Sequence, residues 1–90
     1  MSYDEFKALV RALAQRDDLT THGLLAIPTL RQQCGTTPAR AEIDAFLVRL
    51  HDEGAIHLLS HVDGAKLSET VRQDLIVHSS GALLYWIRWL

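Results

Sequence analysis

Ninety residues suffice for one domain and are too few for two, so the chain reads as a single unit over 1–90. With 48% apolar and 22% charged residues the composition is globular, and no apolar run approaches the ~20 residues of a membrane span. The net charge of −2 lacks the basic excess that marks most nucleic-acid binders, and a single cysteine, Cys34, excludes an internal disulfide or a cysteine-based zinc site.

Residues 2–16 are expected to form a helix. Ser2 can cap it, Asp4 and Glu5 fall in the first turn, and Phe6, Leu9, Val10 and Leu13 recur at helical spacing. Lys7, Arg11 and Arg16 take the other face. This acidic, amphipathic start does not read as a secretory signal, and a cytoplasmic protein is expected. Asp17 to Gly23 reads as a loop. Leu24-Leu25-Ala26-Ile27 suits a small strand, ended by Pro28, which has no N–H for a ladder but fits a first helical turn. A short helix over 28–34 sets Leu30 and Cys34 four apart, and Gly35 can take a left-handed conformation after it. Thr36 and Thr37 offer hydroxyls for an N-cap and Pro38 fits the position after it. A helix over 37–52 follows, with Ile43, Phe46, Leu47 and Leu50 in one stripe, and Gly54 ends it. Residues 55–61 read as a strand, and Val62-Asp63-Gly64 as a turn. Ser68 can cap a short helix over 68–76 whose apolar residues are Val71, Leu75 and Ile76; Ser79-Ser80-Gly81 breaks it. Residues 82–89 form a second strand, the best partner for 55–61.

Helix, short strand, helix, tight turn, helix, strand, excursion, strand is an order that resembles the winged-helix family of bacterial transcription regulators. The resemblance covers most of the chain. Its residues are Leu30, Cys34-Gly35-Thr36-Thr37-Pro38, Phe46-Leu47, and Leu50-His51-Asp52-Glu53-Gly54-Ala55-Ile56. It implies an α+β fold, a winged helix-turn-helix: a three-helix core, a small antiparallel sheet and an extra short helix between the wing strands. Two departures stand out. The span from Gly35 to Gly54 is slightly longer than usual, and the connection over 62–81 is longer than a simple hairpin wing.

By resemblance, helix 37–52 would enter the major groove of double-stranded DNA. With its stripe turned inward, the outward positions are Thr37, Arg40, Ala41, Asp44, Ala45 and Val48. Thr36, Thr37 and the free N–H groups of the helix start could hold a phosphate, and Arg40 could read a guanine edge or grip the backbone. Arg31 and Lys66 could neutralise further phosphates. The expected DNA-binding set is Arg31, Thr36, Thr37, Arg40, Ala41, Asp44 and Lys66. No acid lies between Leu19 and Ala41, whereas Glu42 and Asp44 would repel phosphate. The plain alternative makes Thr37 only a cap, and Arg31 and Arg40 solvated surface residues.

The carboxyl-terminal strand is apolar on both faces: Leu83, Tyr85, Ile87 and Trp89 alternate onto one, Leu84, Trp86 and Leu90 onto the other. One face can cover the core. The other needs helix 68–76, a twin subunit or a larger partner over it. Leu84, Tyr85, Trp86, Trp89 and Leu90 are therefore the expected partner interface. Two functional readings result. One is a dimeric DNA-binding transcriptional regulator or DNA-associated accessory factor. The other is a protein-interaction module, a subunit or adaptor that does not bind DNA.

No enzyme is expected. There is no nucleophile elbow and no glycine-rich phosphate loop, and the adjacent acids Asp4-Glu5 and Asp17-Asp18 do not converge. His57 and His61 share a strand face and His51 could approach it, but no metal-binding spacing accompanies them. Cys34 reads as a buried, inert thiol beside Leu30. No cofactor or metal is expected.

Overall fold

The computed structural model describes residues 1–36, 38–61, 66–77 and 80–90. The first helix, α1 (Tyr3–Ala14), starts on a reciprocal cap: Ser2 Oγ accepts from the Glu5 N–H and Glu5 Oε1 accepts from the Ser2 N–H, both at 3.1 Å. It buries Phe6, Val10 and Leu13 and stops two residues short of the expected end. Arg16 there turns to pair with Asp18 at 2.6 Å.

The expected loop over 17–23 contains a strand. β1 (Thr20–Thr21) and β2 (Leu24–Ala26) form a hairpin whose turn residues, His22 and Gly23, have φ of 52° and 78°. Two positive φ angles in a two-residue turn are the type I′ pattern, whose twist matches that of paired strands.

The chain passes directly into α2 (Ile27–Cys34), with Pro28 in its first turn. Gly35 has φ 68° but ψ −131°, so it does not adopt the expected left-handed helical conformation. α3 (Arg40–Asp52) starts later than expected, on Ala39, with no side-chain cap; Pro38 is buried ahead of the helix and Thr37 lies outside the described residues. The stripe behaves as expected. Ile43, Leu47 and Leu50 are buried, and Phe46 packs on Phe6 with ring centroids 5.1 Å apart. Gly54, at φ 81°, closes α3 while the Ala55 N–H donates to the Leu50 carbonyl and the Gly54 N–H to that of His51. Those two bonds form a Schellman motif and require the left-handed residue that glycine supplies.

β3 (Ile56–Ser60) follows. The turn expected at Val62-Asp63-Gly64 lies outside the described residues. α4 (Glu69–Gln73) is capped by Ser68 Oγ, which accepts from the Val71 N–H, and it is shorter than the expected helix. Leu75 is buried beyond its end, and Ile76 starts a strand, β4 (Ile76–Val77). β5 (Leu83–Trp89) completes the sheet.

The strands run antiparallel in the order β1-β2-β5-β3, with β4 also on β5. Ile87 pairs with both Leu25 and Leu58, and Leu84 with both Ser60 and Ile76. β2 and β4 therefore share one edge of β5, and β3 takes the other. The expected pairing of the 55–61 and 82–89 segments is present. α1, α2 and α3 pack on one face of the sheet around Phe6, Leu25, Leu30, Leu47, Ile56 and Ile87. The fold is a compact α+β arrangement of four helices and a small antiparallel sheet among the described residues. None of those helices is long and apolar enough to cross a membrane.

One irregularity corrects the expected faces of the last strand. Pairing steps from Leu59–Trp86 to Ser60–Leu84, so Tyr85 is an extra residue, a β-bulge. The alternation resets there. Leu84 and Ile87 are buried in the core and Trp89 packs against it, whereas Tyr85 and Trp86 lie outside that cluster with ring centroids 4.5 Å apart.

Candidate functional site

The α2–α3 junction was the expected DNA surface, and two of its members prove to be bonded to each other. Arg31 Nη2 donates to Asp44 Oδ1 at 2.6 Å and Arg31 Nε donates to the Asp74 carbonyl at 2.7 Å. The Arg31 side chain is only 11% exposed. It ties α2 to α3 and to the segment after α4. This corrects the expectation for Arg31 and Asp44, whose charges are spent on each other inside the fold.

Arg40, at 52% exposure, lies 3.8 Å from Asp74 Oδ1. Thr36, Gly35, Pro38 and Arg40 border an open cleft of about 250 Å³ with Arg31 and Asp74. The Arg40, Ala41 and Glu42 N–H groups have no helical acceptor, and the N-cap residue, Ala39, has no side chain to cap them. This corner offers hydrogen-bond donors but no excess of positive charge: Arg31 is offset by Asp44, Arg40 by Asp74, and Glu42 is exposed on the same turn. Ala41, Ala45 and Val48 are exposed along α3 and carry no charge; Lys66 is exposed and is not part of this cleft.

The sheet face turned away from the helices has a different chemistry. Trp86 sits in register between Ala26 on β2 and Leu59 on β3. Tyr85 meets it edge-on at 72°. The His61 ring lies 4.8 Å from that of Tyr85 and runs nearly parallel to Trp86 at 6.0 Å. These rings are half-buried. Asp74, at the end of α4, reaches Arg31 and Arg40 in the helix layer. Of the expected partner residues, Tyr85 and Trp86 are on this outer face. Leu84 and Trp89 belong to the core side and are corrected accordingly. Leu90 is exposed, and its N–H donates to the Ala55 carbonyl.

The seam between α1 and α3 carries a cluster with no signal in the sequence. The Arg49 guanidinium lies 3.8 Å over the Tyr3 ring, and Lys7 Nζ meets Glu53 Oε1 at 2.7 Å. Burial, and then the nearby Glu53 carboxylate, push the Tyr3 phenol up to about 12 from an ordinary value of 10.0. The fold therefore favours the neutral phenol, and the stability it lends is intact below pH 10 and is lost as pH rises through 12. Alkaline unfolding followed by circular dichroism is expected to show this loss in the natural chain and much less of it in Tyr3→Phe.

Cys34 is half-buried, and burial raises its thiol while Arg31 pulls the other way. Its thiolate is thus scarce at neutral pH. The His51 and His57 rings are 6.2 Å apart, and the described residues contain no group of three or more His, Cys, Asp or Glu able to hold a metal ion. No family model, curated protein or solved structure matches this chain.

Proposed function

We propose that the chain is a winged-helix domain that acts as a protein-interaction module, a subunit or adaptor, and not as a reader of duplex DNA. The order α1, β2, α2, α3, β3, β5 and the sheet order β2-β5-β3 support the architecture, with α3 in the place of the recognition helix. The segment between β3 and β5 is then an enlarged wing that carries α4 and β4.

One observation carries the functional reading: charge is balanced around α3 while two aromatic rings stand on the outer sheet face. DNA affinity grows with the number of cations free to replace counterions on phosphates, and Arg31 is not free while Arg40 faces Asp74. Tyr and Trp are efficient anchors at protein interfaces, and the bulge sets Tyr85 and Trp86 side by side beside Leu59. The partner this face fits is a protein presenting aliphatic or aromatic side chains.

Two measurements test the reading. Fluorescence anisotropy with a mixed-sequence duplex at low salt is expected to show no salt-dependent binding up to tens of micromolar; steep salt-dependent binding overturns the proposal. The chain recovered natively from its own cells is expected above the 10.1 kDa of one copy. That mass should fall to one copy in Trp86→Ser and stay unchanged in Arg40→Ala. The opposite pattern counts against the outer face.

A second reading, binding of double-stranded DNA, draws on the uncapped start of α3 beside Thr36 and Arg40. It requires the anisotropy signal just described, weakened by Arg40→Ala.

A further inference from the structure

β3 ends the strand order, so one of its edges faces no other strand among the described residues. The Leu90 N–H donates to the Ala55 carbonyl, which fixes the alternation: Ala55, His57 and Leu59 turn their backbone groups toward β5, and Ile56, Leu58 and Ser60 turn theirs outward. The Leu58 N–H fits this pattern. It donates away from the sheet, to Nδ1 of His51 at 3.4 Å, and this imidazole comes from the last turn of α3.

Open edges are ordinarily guarded by lysine, proline or an inward-pointing charge. Residues 55–61 contain no Lys, Arg, Asp, Glu or Pro. An imidazole seated in the middle of the outward row does the guarding here.

We propose that the outward edge of β3 is a pairing surface for the same edge of a second copy of this chain, and that neutral His51 keeps it closed. A second copy fits for two reasons. Antiparallel pairing about a two-fold axis at Leu58 brings each Leu58 N–H to the other copy's Leu58 carbonyl and sets Ile56 against Ser60, outward group to outward group. The same axis sets His57 of each copy against Leu59 of the other, so no two imidazoles lie directly opposite one another.

The same atom supplies the gate. Nδ1 accepts a hydrogen bond only while the ring is neutral; a protonated imidazole has two donors and no acceptor, and it releases the Leu58 N–H. Among the described residues, two other titratable groups lie near His51. Asp52 of α3 borders the same cleft, and the His57 ring of β3 lies 6.2 Å away. Among the described residues, the sheet contributes only apolar Leu58, Ile76, Val77 and Leu84 to that cleft. The proposal stands apart from the outer-face reading, since it concerns a backbone edge and not the rings.

Light scattering of the full chain at about 100 µM, at pH near 7.5 and near 5.5, tests it. One copy is expected at the higher pH and a twofold mass at the lower. His51→Gln, which keeps an acceptor that does not titrate, is expected to stay at one copy at both. His51→Ala should show the doubled mass at both. An unchanged mass for the folded natural chain at acid pH overturns the proposal, as does acid doubling that persists in His51→Gln. If Trp86→Ser dissolves an assembly that the His51 variants leave alone, the outer face stands and the edge does not.

Discussion

Ile87→Ala and Leu84→Ala are each expected to lower the unfolding free energy by about 2–5 kcal/mol, and Tyr85→Ala by only about 1–2. Ile87 is fully buried where β2, β5 and β3 meet, and Leu84 faces the same core. A strand without the bulge would put Tyr85 on the face of Ile87 and Leu84 on the opposite one, and the ranking of Leu84 and Tyr85 would invert. For a domain of this size each kcal/mol moves the melting temperature by about 4–8 °C, so the two core variants should melt at least about 8 °C lower. Thermal unfolding of the three variants reads the register directly. Equal losses at Leu84 and Tyr85 would remove the bulge and the paired rings with it.

Asp44→Ala is expected to cost about 2–3 kcal/mol, and Arg31→Met markedly less. The alanine strands a buried guanidinium that has one unpartnered nitrogen already, Nη1, whereas methionine fills similar space with nothing left to satisfy. Asp44 is itself 33% exposed, so solvent screening keeps the figure below that of a fully buried pair. A double-mutant cycle in urea should return a coupling of about 1–2 kcal/mol. Coupling near zero would mean that Arg31 is not held by Asp44 and is free to serve as a surface cation, which would restore part of the case for DNA.

Elements with a periodic apolar stripe were legible in the sequence. Phe6, Val10 and Leu13 in α1, and Ile43, Leu47 and Leu50 in α3, announce helices because their spacing reflects burial on a single side. The pairing of β3 with β5 followed from having two β-rich segments and one core to cover. What depends on two distant residues was not legible. The capping hydroxyls expected at Thr36 and Thr37 give way to a start on Ala39, because the path past buried Pro38 is set by packing. Arg31 reads as a surface cation until Asp44 and the Asp74 carbonyl are brought to it. Leu75 and Ile76 continue a helical pattern, yet β5 offers a ladder that draws Ile76 into a strand. The site suffered most. A bulge is a mismatch between two strands, and Leu84-Tyr85-Trp86 alone carries no mark of it, so the outer-face residues were partly misassigned.

The central position of β5 bears on how the chain is made. It joins β2, β3 and β4, yet among these elements it is synthesised last. Until residues 83–89 have left the ribosome, Leu25, Ile56 and Leu58 have no strand between them, and the nascent helices must carry their apolar faces uncovered. The β1–β2 hairpin can close without β5, but the joining of β2, β3 and β4 into one sheet waits for it.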